Sequence, residues 1–242
     1  MNPTAEAALT NLRLSAKPIL FETGLDEAPY SGAGTGFLVL FRNRIYLLTA
    51  HHVIKGENLD NLLVFPNDAT DESIPFDAWF TVASPNPMHN DYSDLSIVRV
   101  ATEKLEIANS SLMHAIRLDT VHDVWKAAPL DYQFAFFGYP KEARGVDYEG
   151  HRIASTQHFL VGRLAQESQS PFCFELEVDD FNGISNLDGL SGSPVVAIPR
   201  SGTGHKDSTI CGMAIRGSKS VGRIRFIDAA VLRKALEQAM DT

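Results

Sequence analysis

The chain has 242 residues, 44% hydrophobic and 21% charged, with a formal net charge of −9. That apolar content excludes an intrinsically disordered chain and is enough for one sizeable core or two small ones. The acidic balance, with no Lys/Arg cluster set against it, argues against nucleic acid and anionic membrane as main partners.

Residues 4–14 carry helix formers with Leu9, Leu12 and Leu14 apolar, which predicts a short leading helix. The same region contains Glu6 and lacks a basic start followed by an apolar run, so no signal peptide is expected. No window approaches the roughly 20 apolar residues of a membrane span, and a cytoplasmic location is the expectation. Phe37–Phe41 and Ile45–Thr49 flank Arg42-Asn43-Arg44 and read as a hairpin. Further β-rich runs are Asn61–Phe65, Trp79–Ala83, Leu95–Val100, Phe134–Phe137, His158–Leu164, Phe172–Val178, Pro194–Ile198, Thr209–Ile215 and Arg223–Ile227. Gly, Pro, Asn and Asp cluster between them. Many short strands separated by turn signals predict an all-β sandwich or barrel instead of βαβ units. The stretch Glu103–Leu130 is less strand-like and reads as a link between two halves. Ala229–Met240 places Val231, Leu232, Leu236 and Met240 at helical spacing, a terminal amphipathic helix expected to pack on the β core.

Three places carry chemistry. In Asp188-Gly189-Leu190-Ser191-Gly192-Ser193-Pro194 a serine stands between two glycines before an apolar strand. Glycines let a backbone turn sharply and present N–H groups to a substrate oxygen. An ordinary Gly/Ser turn has the same composition. In Thr49-Ala50-His51-His52-Val53 a strand ends on two histidines, which face different ways, so at most one serves as a base. In Asp91-Tyr92-Ser93-Asp94-Leu95 an acid precedes a buried-looking strand, and taken alone it reads as a turn or cap. There is no His-Glu-x-x-His and no cysteine pair at ligand spacing, so no metal is expected. Gly32-Ala33-Gly34-Thr35-Gly36 lacks nucleotide-loop spacing and precedes a strand instead of following one. Ser201–Lys206 reads as a solvated loop, and His89, His114, His122, His151, His158 and His205 as structural or surface residues. Cys211 sits in an apolar strand as a core thiol, and its pairing with Cys173 stays open.

Taken together, these places have the order His…Asp…Ser, and the chain resembles the trypsin-like, chymotrypsin-fold serine peptidases, in the style of compact bacterial and Deg-type members. Ser31–Val39 resembles the family's Ser-Gly-x-Gly-Phe opening strand. Thr49–Val53 matches Thr-Ala-x-His-Val, which gives the base position to His52 and not His51. Asp94–Val98 matches Asp-Leu-Ala-Val-Leu, Phe137–Pro140 the Gly-Tyr-Pro element, and Gly189–Pro194 the serine turn, with Ser191 and not Ser193 as nucleophile. Gly212–Gly217 looks like the strand lining the substrate cleft. The likeness spans about residues 18 to 228.

The resemblance implies one peptidase domain over 1–242. It contains two antiparallel β-barrels, at 17–105 and 131–228, joined by a linker at 106–130. The active site lies in the cleft between them, and helices stand at both ends, the last over 229–242. It implies a triad of His52, Asp94 and Ser191, and an oxyanion hole from the N–H groups of Gly189 and Ser191. It places Ser185, Ile215, Arg216 and Gly217 at the substrate cleft, the last three as a strand edge for an extended peptide. Protein or peptide is the expected substrate, with no cofactor and with a regulatory partner as one mode of control. Leu190 stands where digestive members carry the acid that pairs with a new N-terminus, so no such activation is expected. A scaffold protein with an unused triad, and an esterase on the same triad, are the competing readings.

Overall fold

The computed structural model describes residues 3–66, 72–83, 91–105, 114–147, 152–165, 172–203 and 208–241. His89, His151 and His205, and residues 106–113 of the expected linker, lie outside them.

The chain opens with helix α1 (Pro3–Ser15) and runs without a loop into strand β1 (Ala16–Glu22). Strand β2 (Tyr30–Phe41) and β3 (Arg44–Thr49) form the predicted hairpin. Its two central residues, Arg42 and Asn43, have φ of 47° and 63°, the left-handed pair of a turn whose twist suits a two-residue hairpin. A one-turn helix α2 (His51–Ile54) follows, then β4 (Leu62–Leu63), β5 (Phe76–Thr81), β6 (Ser96–Val100) and β7 (Ile116–Arg117). These seven strands make one curled sheet in the order β4-β1-β2-β3-β6-β5, with β7 lying parallel to β2. Its ladder does not close. Near its two ends the Ile74 N–H donates to Val64 O at 2.7 Å.

The link holds a one-turn helix α3 (Val124–Ala127), and then β8 (Tyr132–Gly138) begins the second unit. A small ribbon, β9 (Arg144–Asp147) with β10 (Arg152–Ser155), projects from it. Strands β11 (His158–Leu164), β12 (Cys173–Asp180), β13 (Pro194–Pro199), β14 (Thr209–Ser218) and β15 (Arg223–Asp228) complete a closed six-strand barrel, β11-β12-β15-β14-β13-β8. Helix α4 (Ala229–Met240) ends the chain over the predicted span. Asp228 caps it by accepting from the Ala230 N–H.

The fold is therefore all-β with a helix at each end. One barrel closes as expected, and the other unit remains a curled half-barrel.

Each unit has its own core. Ile19, Leu38, Leu47 and Val98 fill the first, and Trp125, Phe134, Phe136 and Phe226 fill the second. A third apolar cluster forms the seam. Phe37, Leu48, Ala50 and Leu95 from the first unit meet Met213, Ile215 and Ile227 from the second, and Leu232 and Leu236 of α4 cover them. Helix α1 precedes the first unit in sequence, yet Leu12 packs on Ala135, Phe137 and Val196 of the second. The terminal helices thus act as straps across the seam. Among the described residues no helix is long and apolar enough to cross a membrane. Cys173 and Cys211 are both buried, and neither is disulfide-bonded.

Candidate active site

Strand β3 ends at Thr49, and helix α2 starts two residues later, which separates the two adjacent histidines. His51 turns inward, with Nδ1 3.0 Å from the Ser96 hydroxyl and its ring against Trp79. His52 turns outward and is half exposed, at 51%. Its Nδ1–H donates to Asp94 Oδ2 at 2.7 Å, and its backbone N–H donates to Asp94 Oδ1 at 2.9 Å. Both carboxylate oxygens therefore hold one residue. A ring whose Nδ1 carries the proton leaves Nε2 as the lone-pair nitrogen, free to accept. Asp94 is held in turn by the short 3-10 turn Asp91–Ser93, through its N–H to Asp91 O at 3.2 Å.

Ser191 lies on the turn between Leu187 and Pro194, at the mouth of the closed barrel. Four consecutive carbonyls of this turn are bound. Asp188 O accepts from Lys141 N–H (2.7 Å), Gly189 O from Thr35 Oγ1 (2.7 Å), Leu190 O from Ser193 N–H (3.0 Å) and Ser191 O from Thr35 N–H (3.1 Å). The N–H groups of Gly189 and Ser191 have no partner among the described residues. The turn depends on glycine at two places. Gly189 has φ of 90° and Gly192 of 91°, and a Cβ on Gly192 would lie 1.8 Å from Thr35 O. Ser193 is fully buried, which removes it from any contact with substrate. Leu190 is buried in the second core.

The Ser191 hydroxyl donates to Ile215 O at 2.8 Å, and among the described residues no hydrogen bond joins it to His52. The two sites are linked through Thr35. Thr49, three residues before His52, donates its hydroxyl to Thr35 O (2.7 Å), and Thr35 N–H holds Ser191 O. The β13–β14 ladder stops at Pro194↔Met213, and Ala214 N–H bonds Ser193 O. Beyond it, Ile215 stands at a register shift and residues 216–218 pair with β15 on one side, while among the described residues no strand pairs with their other edge, which can take an extended chain.

Of the expected cleft residues, Ile215 is buried in the seam, while Arg216 and Gly217 are exposed. Ser185 is exposed and donates both its N–H and its hydroxyl to the carboxylate of Glu142. Those bonds hold the Glu142 carboxyl below its ordinary range. Arg216 is tied by an ion pair to Asp91, whose other oxygen takes Arg225. Arg225 continues to Glu175, with Nε 3.0 Å from Oε1. Partial burial works to raise the Asp91 carboxyl, but the hydrogen bonds from Arg225 and Arg216 outweigh it and leave its pKa below the ordinary value. This charged bridge spans the seam three residues from Asp94 and one residue from Ile215. The partners of Asp91 lie 125 and 134 residues away, and no local pattern announces such pairs.

Among the described residues no group of three or more His, Cys, Asp or Glu could hold a metal ion. Compared with known proteins, the chain matches no family model and none of the curated sequences.

Proposed function

We propose that this chain is a trypsin-like serine endopeptidase. It would cleave peptide bonds with Ser191 as nucleophile, His52 as general base and acid, and Asp94 as the group that orients the imidazole. The observation that carries this reading is the double grip of Asp94 on His52, at 2.7 and 2.9 Å. It fixes one tautomer, and the serine turn offers two N–H groups that have no partner among the described residues.

In this mechanism the Ser191 hydroxyl leaves Ile215 O and donates to His52 Nε2. Its oxygen attacks the scissile carbonyl as the proton passes to His52. The N–H groups of Gly189 and Ser191 receive the oxyanion, and losing one such donor costs about 10²–10³ in rate. His52 then protonates the leaving amine, and the acyl group remains on Ser191 Oγ. Water, deprotonated by the same imidazole, releases the product acid and regenerates the serine. The substrate lies extended along residues 215–217, bonded as an added strand.

The test is turnover of a fluorogenic peptide library by wild type, Ser191→Ala and His52→Ala. Cleavage by wild type alone is the expected result. Equal cleavage by Ser191→Ala would exclude the mechanism. A second reading is a latent or catalytically silent binding protein of the same fold, and the Ser191–Ile215 bond favours it, because that bond turns the nucleophile away from its base. Hydrolysis of simple esters with no peptide cleavage would instead point to an esterase on the same three residues.

A further inference from the structure

Thr35 lies in β2 of the first unit and is fully buried. Its side chain and backbone serve the second unit as well as the first. The hydroxyl donates to Gly189 O at 2.7 Å and accepts from the Tyr139 N–H at 2.9 Å. Its N–H holds Ser191 O and its carbonyl accepts from Thr49. We infer that Thr35 is a positioning residue, setting the serine turn against the strand end that delivers His52. The inference rests on the peptidase reading above.

The physical reason is the freedom of the turn. A trans peptide points its N–H opposite its C=O, so a bound carbonyl fixes the direction of the next N–H. Lys141 thereby sets the Gly189 N–H and Ser193 sets the Ser191 N–H. The peptide between Gly189 and Leu190 is the remaining hinge, its N–H held by Leu187 O through the longest hydrogen bond of the turn, 3.2 Å. Gly189 has no side chain to resist rotation, and its carbonyl is held by Thr35 Oγ1 alone among the described residues. Removing that hydroxyl takes the Thr35 bond from the Gly189 carbonyl in a partly buried place, a cost the turn can relieve by rotating. Valine matches threonine in shape and cannot make either bond. Serine makes both.

The experiment compares Thr35→Val and Thr35→Ser with wild type on the best-cleaved fluorogenic peptide, alongside amide hydrogen exchange of segments covering residues 186–193. Thr35→Ala replaces the valine variant should the latter not fold. The expected result for valine is a fall in kcat of about 10- to 100-fold, the scale of a small misplacement of reacting groups, with KM within about threefold. Exchange in 186–193 rises, while the remaining strands of the closed barrel are unchanged. Serine restores both readouts. Unchanged exchange in the valine variant would overturn the inference, as would raised exchange with kcat within twofold of wild type. If wild type cleaves no peptide, the peptidase reading falls by itself, and exchange alone decides whether Thr35 holds the turn.

Discussion

The two β units divide the work unequally. The second is a closed six-strand barrel around Trp125, whose ring meets Phe134 and Phe174 edge-on and lies against Phe226. It carries Ser191 on a turn with four successive carbonyls bound. The first is an open sheet whose ends, among the described residues, meet through one backbone bond, and it carries His52 and Asp94. The glycine-dependent turn stands on the closed frame. The pair that must only keep one ring in one orientation stands on the looser one, where two hydrogen bonds from one carboxylate suffice. The seam between them is therefore as important as either core. It consists of an apolar cluster, two helical straps, Thr35 and the charged bridge through Asp91.

If the first unit contributes only an oriented imidazole, Asp94→Asn leaves the fold intact and removes most of the rate. Peptide hydrolysis should fall by roughly 10⁴-fold, because the amide favours the wrong tautomer, with the urea midpoint unchanged. A comparable loss of stability would mean that Asp94 supports the open sheet as well.

The tryptophans sharpen the comparison. Trp125→Ala empties the closed barrel and should cost about 3–5 kcal/mol by urea unfolding. Trp79 is only partly buried, on edge strand β5 beside His51. Trp79→Ala should cost less than half as much. Equal costs would break the distinction between closed and open units.

The seam gives a smaller, pH-dependent effect. The pKa of Asp91 is lower in the folded protein than the ordinary carboxylate value near 3.9, so the stability it contributes is complete above that value. It is lost as pH falls through the lowered folded pKa. Asp91→Asn should be less stable by on the order of 1 kcal/mol above about pH 5. The gap should close as pH falls below about 4. Urea midpoints against pH measure it, and a gap constant over that range would show that the bridge holds the seam by packing instead of charge.

The smallest effect concerns the thiols. Burial pushes the Cys211 thiol well above its ordinary pKa, and Cys173 is equally enclosed. Neither should react with a thiol reagent at pH 8 until the chain unfolds.

Much of this architecture was legible because it is written locally. The Arg42-Asn43 turn, the periodicity of Ala229–Met240 and the glycines around Ser191 are short-range signals, and the hairpin, the helix and the turn form where they stand, while the run Asn61–Phe65 forms only the two-residue strand Leu62–Leu63. What was not legible depends on distance or on a single residue. Strand β1 was missed because Lys17 and Pro18 break its apolar run. Lys17 is nonetheless buried, its ammonium donating to Pro66 O at 2.6 Å. Trp125 lay in a stretch read as a link, and a lone large aromatic among polar residues was the available sign that the link enters a core. At the site, the choice of His52 over His51 has a physical counterpart, since only His52 meets Asp94. The parts played by Thr35, Lys141 and Asp91 could not be read, because each acts through a bond to a residue 47 or more positions away.

Covalent labelling with a fluorophosphonate, mapped to the modified residue by mass spectrometry, addresses the central claim most directly. A single adduct on Ser191 is expected in wild type, with no adduct in Ser191→Ala and strongly slowed labelling in His52→Ala. An adduct on another residue, one that persists in Ser191→Ala, or no adduct on the folded wild-type chain would contradict that claim.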